Sequence, residues 1–175
     1  TKHVGSGMVA DFDPEHPGLE CFATEDKKGG STDQYLLTSD GKYIRRNSDI
    51  PPTGSWVWWD ADLQRETLHF NLSREEMADM RRNGKRWSQQ IVKWKDKSTV
   101  GNGIEGSLQL IADLYGDWRE EMVMSMPGEL RIYTTNIPAK DRRVTLMQDG
   151  IYRSYVAHRS MGYPQAPVTS YYLGE

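Results

Sequence analysis

Leu110-Ile111-Ala112-Asp113-Leu114-Tyr115-Gly116-Asp117-Trp118-Arg119-Glu120-Glu121-Met122-Val123-Met124 runs from an apolar strand, through a carboxylate-rich loop, into a second strand opened by Glu121. The same grammar stands twice upstream. Met8-Val9-Ala10-Asp11-Phe12-Asp13 leads through Pro14 and Gly18 to Glu20-Cys21-Phe22, and Trp56-Val57-Trp58-Trp59-Asp60-Ala61-Asp62 leads through Arg65 to Glu66-Thr67-Leu68. The leading Asp recurs at intervals of ~50 residues, a period that, with several strands per unit, marks propeller blades. The sequence therefore predicts an all-β fold, a partial β-propeller of about three blades. Three blades do not close a ring, and an open arc exposes strand edges and apolar faces. Residues 1–175 are accordingly expected to be incomplete on their own.

The stretches between the loops read as hairpins. Gln34–Thr38 and Lys42–Arg46 flank Ser39-Asp40-Gly41, a strong turn signal. Leu130–Thr135 has strand composition and is stopped by Ile137-Pro138. Val144–Met147 and Tyr152–Ala157 flank Asp149-Gly150 and are expected to form one more hairpin. Ser73 to Arg82, with Glu75, Glu76, Met77, Ala78 and Met80, has helical composition. The basic run Arg81–Arg86 is expected at a solvated hairpin tip.

Composition narrows the class. Six Trp, nine Tyr, 16 Gly and 8 Pro suit a turn-rich β protein. A net charge of −3 gives no field that would gather nucleic acid or an anionic membrane, so neither is expected as a partner. No stretch is long and apolar enough for a membrane-spanning helix. Cys21 stands alone, so no internal disulfide can form, and its apolar strand context predicts a buried thiol. His3, His16, His69 and His158 lack paired ligand spacing, which argues against zinc.

The loops carry the chemistry that spacing alone suggests. Asp113, Asp117 and Glu121 occupy the first, fifth and ninth positions of one loop, with Gly116 permitting the bend. Asp11, Asp13 and Glu20 belong to a second, and Asp60, Asp62 and Glu66 to a shorter third. Clustered carboxylates repel unless neutralised, and calcium accepts six to eight oxygens. Calcium is thus the expected cofactor at one or more loops, with Asp113/Asp117 placed first. In the short Asp60 loop, Arg65 is the alternative internal cation.

Val57–Leu63 with Arg65-Glu66, Ala112-Asp113 through Gly116–Glu121, Leu130–Thr135, Thr145–Met147 with Tyr152-Arg153, and Thr169–Gly174 together resemble the family 11 rhamnogalacturonan lyases, in order along essentially all 175 residues. The resemblance implies a secreted, periplasmic or cell-surface location and a calcium-containing eight-bladed propeller. It implies cleavage of the rhamnose–galacturonate backbone of pectin by β-elimination. The chain would be the C-terminal portion of the catalytic domain, its partners the missing N-terminal part of that propeller and a uronate-containing polysaccharide.

The same resemblance places the cleft. Asn102 and Gly103 match the family's Asn-Gly-Thr-Lys stretch, while Glu105 stands where that stretch has Lys. Tyr163 is retained from a Tyr-Asn-Gln-Pro-Pro-His stretch, and His3 from a Gly-His-Gly-Asp stretch. His158-Arg159-Ser160 replaces Trp-Gln-Asn. Tyr163, His158 and His3 are the candidate catalytic bases. Asn102, Gly103, Glu105 and Arg159 are the candidate substrate-binding residues, with Arg159 suited to grip a carboxylate. A lyase is the leading reading. A non-catalytic glycan-binding propeller descended from a lyase is the alternative.

Overall fold

The computed structural model describes residues 3–26, 33–52, 55–69, 72–84, 88–162 and 165–174. Among the described residues, eleven strands form three antiparallel sheets. The first sheet has the order β1 (Val4–Ala10), β2 (Glu20–Glu25), β3 (Gln34–Thr38), β4 (Tyr43–Arg46). The second has β5 (Trp56–Val57), β6 (Glu66–His69), β7 (Ser88–Val92), β8 (Thr99–Glu105). The third has three strands: β9 (Ser107–Ala112), β10 (Glu121–Met126) and β11 (Glu129–Tyr133), with β10 in the middle.

The sheets stack face to face through alternating side chains. In β5, Trp56 joins Ala10, Phe12, Phe22, Leu36 and Trp94 between the first and second sheets. Its neighbour Val57 joins Leu68, Ile91, Ile104, Ile111, Met122 and Met124 between the second and third. The period-two pattern of a strand thus apolarises both faces of the middle sheet, as burial on both sides requires. A third cluster, Trp58, Trp118, Leu146, Tyr152 and Leu173, lies under the loops.

The second and third sheets are joined with almost no connection. Only Gly106 separates β8 from β9. Its φ is +101°, and a Cβ there would fall 2.7 Å from Ser125 O, so both conformation and space demand glycine.

Helix α1 (Arg74–Arg82) lies between β6 and β7, as its composition predicts. A capping box opens it: Glu76 N–H donates to Ser73 Oγ (3.2 Å), and Ser73 N–H donates to Glu76 Oε2 (2.7 Å). Arg82 therefore ends a helix and does not sit on a hairpin tip; Lys85 and Arg86 lie outside the described residues.

The hairpin expected across Asp149-Gly150 is replaced by helix. Leu146–Gln148 is a 3-10 turn, and Gly150–His158 is helix α2. The reason is that Asp149 acts as an N-cap, its carboxylate accepting from Ile151 N–H at 2.8 Å, where the sequence reading took Asp-Gly for a two-residue β-turn. Tyr152 then points into the loop cluster, fully buried. Cys21 is free and half-buried, not buried as expected, because its side of β2 faces away from the second sheet.

Candidate functional site

Each acidic loop is organised by the Glu at its far end. Glu20 Oε2 accepts the backbone N–H groups of Phe12 (3.1 Å) and Asp13 (3.3 Å). Glu121 Oε2 does the same for Leu114 (2.8 Å) and Tyr115 (3.2 Å), the corresponding residues after Asp113. In the shorter middle loop Glu66 Oε2 accepts from Trp59 N–H at 3.0 Å. The recurring Glu is thus a buried clasp that folds the loop back onto its strand pair. Burial dominates its titration: Glu20 is pushed up to about 7, and Glu66 and Glu121 are also raised.

The first loop adds a cation. Lys95 Nζ lies 2.9 Å from Asp13 Oδ1 and 2.6 Å from Glu15 Oε2. Burial alone would raise Asp13. Its bonds to Lys95, Glu15 N–H and His16 overcome that and hold it below the usual range. Tyr172 O–H donates to Asp11 Oδ2 at 2.9 Å. An open cavity of about 420 Å³ lies between this loop and the middle one, lined by Asp11, Asp13, His16, Asp62, Lys140 and Tyr172 among others.

In the middle loop, ligand atoms of Asp60, Asp62 and Glu66 lie within 4.8 Å of one another, and this triad could hold a metal ion. Glu66 Oε1 is buried with no hydrogen-bond partner among the described residues, which suits a ligand waiting for a cation. The internal cation beside this loop is Lys93, not Arg65: Lys93 Nζ is 2.7 Å from Asp60 Oδ2 and is also bonded to Asp62 Oδ2.

Arg65 instead turns inward. Its Nη2 donates to both oxygens of Glu120 (2.9 and 2.8 Å), and its Nη1 donates to Pro167 O at 2.6 Å. Its guanidinium lies 3.8 Å from the Trp58 ring centroid. Glu120 also accepts from Trp58 N–H (2.9 Å) and Tyr152 O–H (2.7 Å), and that hydroxyl accepts from Asp113 N–H at 2.9 Å. This chain of bonds ties the middle loop to the third loop. Spacing does not signal it, because the repeat singles out Glu121 and not its neighbour Glu120.

In the third loop the carboxylate oxygens are largely engaged by protein. Asp113 accepts from Gly116 N–H (2.7 Å), Thr145 Oγ1 (2.8 Å) and Leu146 N–H (2.8 Å). Asp117 pairs with Arg119, and Glu121 Oε1 accepts from Thr134 O–H at 3.0 Å. Among the described residues, the three carboxylates that converge closely enough to share an ion are those of the middle loop, whereas spacing alone placed Asp113/Asp117 first.

The cleft candidates lie as follows. Asn102 and Gly103 are exposed on β8, the edge strand of the second sheet. Gly103 has φ +72° and open space beside it. Glu105 Oε2 is 2.7 Å from Arg131 Nη1, so its charge is matched from the third sheet. Arg159 Nε and Nη2 donate to Gln109 O (2.7 Å) and Leu108 O (2.9 Å) of β9. Glu105 and Arg159 thus both bond residues of the third sheet. His158 is exposed at the end of α2. His3 pairs with Asp26 at 2.9 Å beside β1, on the first sheet. Tyr163 lies outside the described residues.

Known proteins resemble this chain along its whole length. The family described as rhamnogalacturonan lyase family 11, C-terminal domain, matches residues 1–175. Rhamnogalacturonan endolyase YesW of Bacillus subtilis is 38% identical over 99% of this chain and 26% of its own length. Rhamnogalacturonan exolyase YesX of the same organism is 34% identical over 98% of this chain and 28% of its own. The solved structure of exotype rhamnogalacturonan lyase YesX superposes with a TM-score of 0.73 at 32% identity, covering 98% of this chain and 29% of that one. A Bacillus licheniformis rhamnogalacturonan lyase gives 0.68 at 34% identity, covering 98% and 27%. The chain spans about a quarter of the length of the curated relatives it matches. On the end-to-end match and these identities, the chain belongs to rhamnogalacturonan lyase family 11, in the portion described as its C-terminal domain.

Proposed function

We propose that this chain is the C-terminal portion of a β-propeller lyase that cleaves a rhamnogalacturonan-like pectic polysaccharide by β-elimination, acting outside the cytoplasm in the secreted, periplasmic or cell-surface space. The observation that carries it is the family match over every residue together with relatives named as endolyase and exolyase.

The remainder of the propeller is the proposed partner, and the register of the outer faces supports it. On the first sheet Val9, Cys21, Leu37 and Tyr43 line up across four strands on the face turned away from the second sheet. On the third, Leu110, Val123 and Ile132 do the same. Val9, Tyr43 and Ile132 are exposed, and such apolar rows suit burial against further sheets.

In β-elimination a base removes the proton at C5 of the uronate, and the 4-linked oxygen leaves. A cation or hydrogen-bond donors stabilise the enolate-like charge on the carboxylate. Tyr163, His158 and His3 are the proposed bases of this portion, and Asn102 and Gly103 the proposed sugar contacts. Asn102 offers donor and acceptor, and Gly103 leaves room for a ring. Calcium is the proposed cofactor; Asp60, Asp62 and Glu66 would hold it, and there it supplies fixed positive charge that holds the loop.

The pairing of Arg159 with β9 carbonyls and of His3 with Asp26 favours a second reading, glycan binding without catalysis. Assay of the full-length polypeptide for unsaturated uronate absorbance on rhamnogalacturonan separates the two. Product formation supports the lyase. Binding of the polymer without product supports the second reading, and neither would remove both.

A further inference from the structure

The cation site of the middle loop already contains a charged side chain. Lys93 Nζ approaches Asp60 Oδ2 at 2.7 Å and bonds Asp62 Oδ2, two of the three groups of the triad. The third member, Glu66, is fully buried, and its Oε1 has no hydrogen-bond partner among the described residues. Lys93 follows β7 directly, so the sheet itself delivers the ammonium to the loop. Two residues on, Lys95 serves Asp13 and Glu15 of the neighbouring loop, with Trp94 between them buried against Phe12. One short segment therefore supplies cations to two acidic loops on adjacent sheets.

We propose that Lys93 and a divalent cation are alternative occupants of the Asp60/Asp62/Glu66 cage, so that calcium enters only when the ammonium swings out. The inference rests on the reading of this triad as a calcium site and adds the residue that gates it. An ammonium and a calcium ion cannot share the same two carboxylate oxygens, because each requires close contact and they repel. The ammonium satisfies the two aspartates but leaves Glu66 Oε1 unpaired. A calcium ion, with six to eight oxygen ligands, can take all three. The lysine stem lets the head group move to solvent while its methylenes stay packed. Burial works against the charge on Lys93, and the bonds to Asp60 and Asp62 more than restore it. Without metal, one ammonium thus stands against two aspartates, and only a divalent cation matches their charge in full.

The test uses the full-length polypeptide and two probes, calcium itself and terbium, whose luminescence is sensitised by indole rings; Trp58 and Trp59 adjoin the cage. Lys93→Met is expected to gain affinity of about tenfold or more at one site, the scale of removing one partly buried ion pair. Adding Asp60→Asn to Lys93→Met should abolish that gain. Lys93→Met should also melt lower than the wild type in chelator and regain the difference in calcium, whereas Lys93→Arg, which keeps the cation, should not respond. Should Lys93→Met fail to fold, Lys93→Gln provides the same comparison. If the wild type already binds tightly at a site that Asp60→Asn removes, and Lys93→Met changes nothing, calcium at the triad stands and the gating by Lys93 is overturned. If no variant binds at the triad, both are overturned.

Discussion

Arg65 and Glu120 form an ion pair 2.8 Å apart with side chains 1% and 0% exposed, joining the middle acidic loop to the third one. Two charges so placed are costly to desolvate, and they persist because each has contacts beyond the pair: Pro167 O and the Trp58 ring for Arg65, whose Nε alone has no hydrogen-bond partner among the described residues, and Trp58 N–H and Tyr152 O–H for Glu120. Arg65→Met should destabilise the full-length protein by about 3–5 kcal/mol, because it strands a buried carboxylate. The double change Arg65→Met with Glu120→Met should recover much of that loss in denaturant unfolding. Equal or larger loss in the double variant would show that packing, not charge, holds the loops.

Tyr152 links that pair to Asp113 through one oxygen. Tyr152→Phe keeps the ring and removes the donor to Glu120 and the acceptor for Asp113 N–H. About 1–3 kcal/mol should be lost. The amides of Asp113 and Leu146 should exchange hydrogen faster, while amides of β3 should not change.

Gly106 is the single-residue junction between two sheets. Gly106→Ala places a Cβ 2.7 Å from Ser125 O and forces a left-handed φ on alanine. A loss on the order of 1–3 kcal/mol is expected from the backbone strain, with more from the clash. Gly103→Ala meets open space and only the φ penalty, so it should cost less. A reversed order of melting temperatures would refute this account of the junction.

Stability should fall as pH rises from about 4.5 to about 7 in the absence of metal. Glu20 is pushed from 4.5 up to about 7, by burial first and by Asp11 and Asp13. A raised carboxyl favours the folded state while protonated, so its contribution is full below the unfolded value and lost as pH passes the folded one. At about 1.36 kcal/mol per unit the loss is at most about 3 kcal/mol. Asp13, lowered, acts in the opposite sense, and its contribution is lost only as pH falls below 3.8. Glu20→Gln should flatten the slope between pH 5 and 7 in chemical denaturation. An unchanged slope would place the titration elsewhere.

Asn102→Ala in the full-length polypeptide should reduce turnover, or glycan binding if no turnover exists, by about tenfold or more, the scale of one or two hydrogen bonds to sugar. His158→Ala separates a base from a bystander. A base variant loses turnover while polymer binding stays intact, and loss of neither removes His158 from the site.

The parts of this fold that follow local rules were legible before any coordinates. Ser39-Asp40-Gly41 does turn β3 into β4, the helix-rich composition from Ser73 to Arg82 does form a helix, and the recurring Glu of each loop does begin a strand. Asp149-Gly150 failed because the same dipeptide serves as a hairpin turn or as a helix N-cap. The choice is made by Tyr152 reaching Glu120, a contact 32 residues away in sequence. The cations of the loops failed for a related reason. Arg65 is five residues from Asp60 in sequence but directed to Glu120 of the third loop, whereas Lys93 and Lys95 arrive from a distant hairpin. The one available signal was two lysines flanking a tryptophan at the end of an apolar strand.

Residues 165–174 touch what the earlier chain has prepared: Pro167 O caps Arg65, Ala166 packs with Phe12 and Trp56, Tyr172 meets Asp11, and Leu173 enters the cluster beneath the loops. These residues stand after every strand they contact in the chain order. During translation the Arg65 guanidinium therefore waits without its carbonyl, and the first loop without its tyrosine, until the ribosome has delivered this segment. At roughly 5–20 residues per second that interval lasts several seconds. The loops gain these contacts only once the segment is free of the ribosome, so a chain truncated before residue 165 would keep the strand pairings yet lose the contacts that fasten its loops.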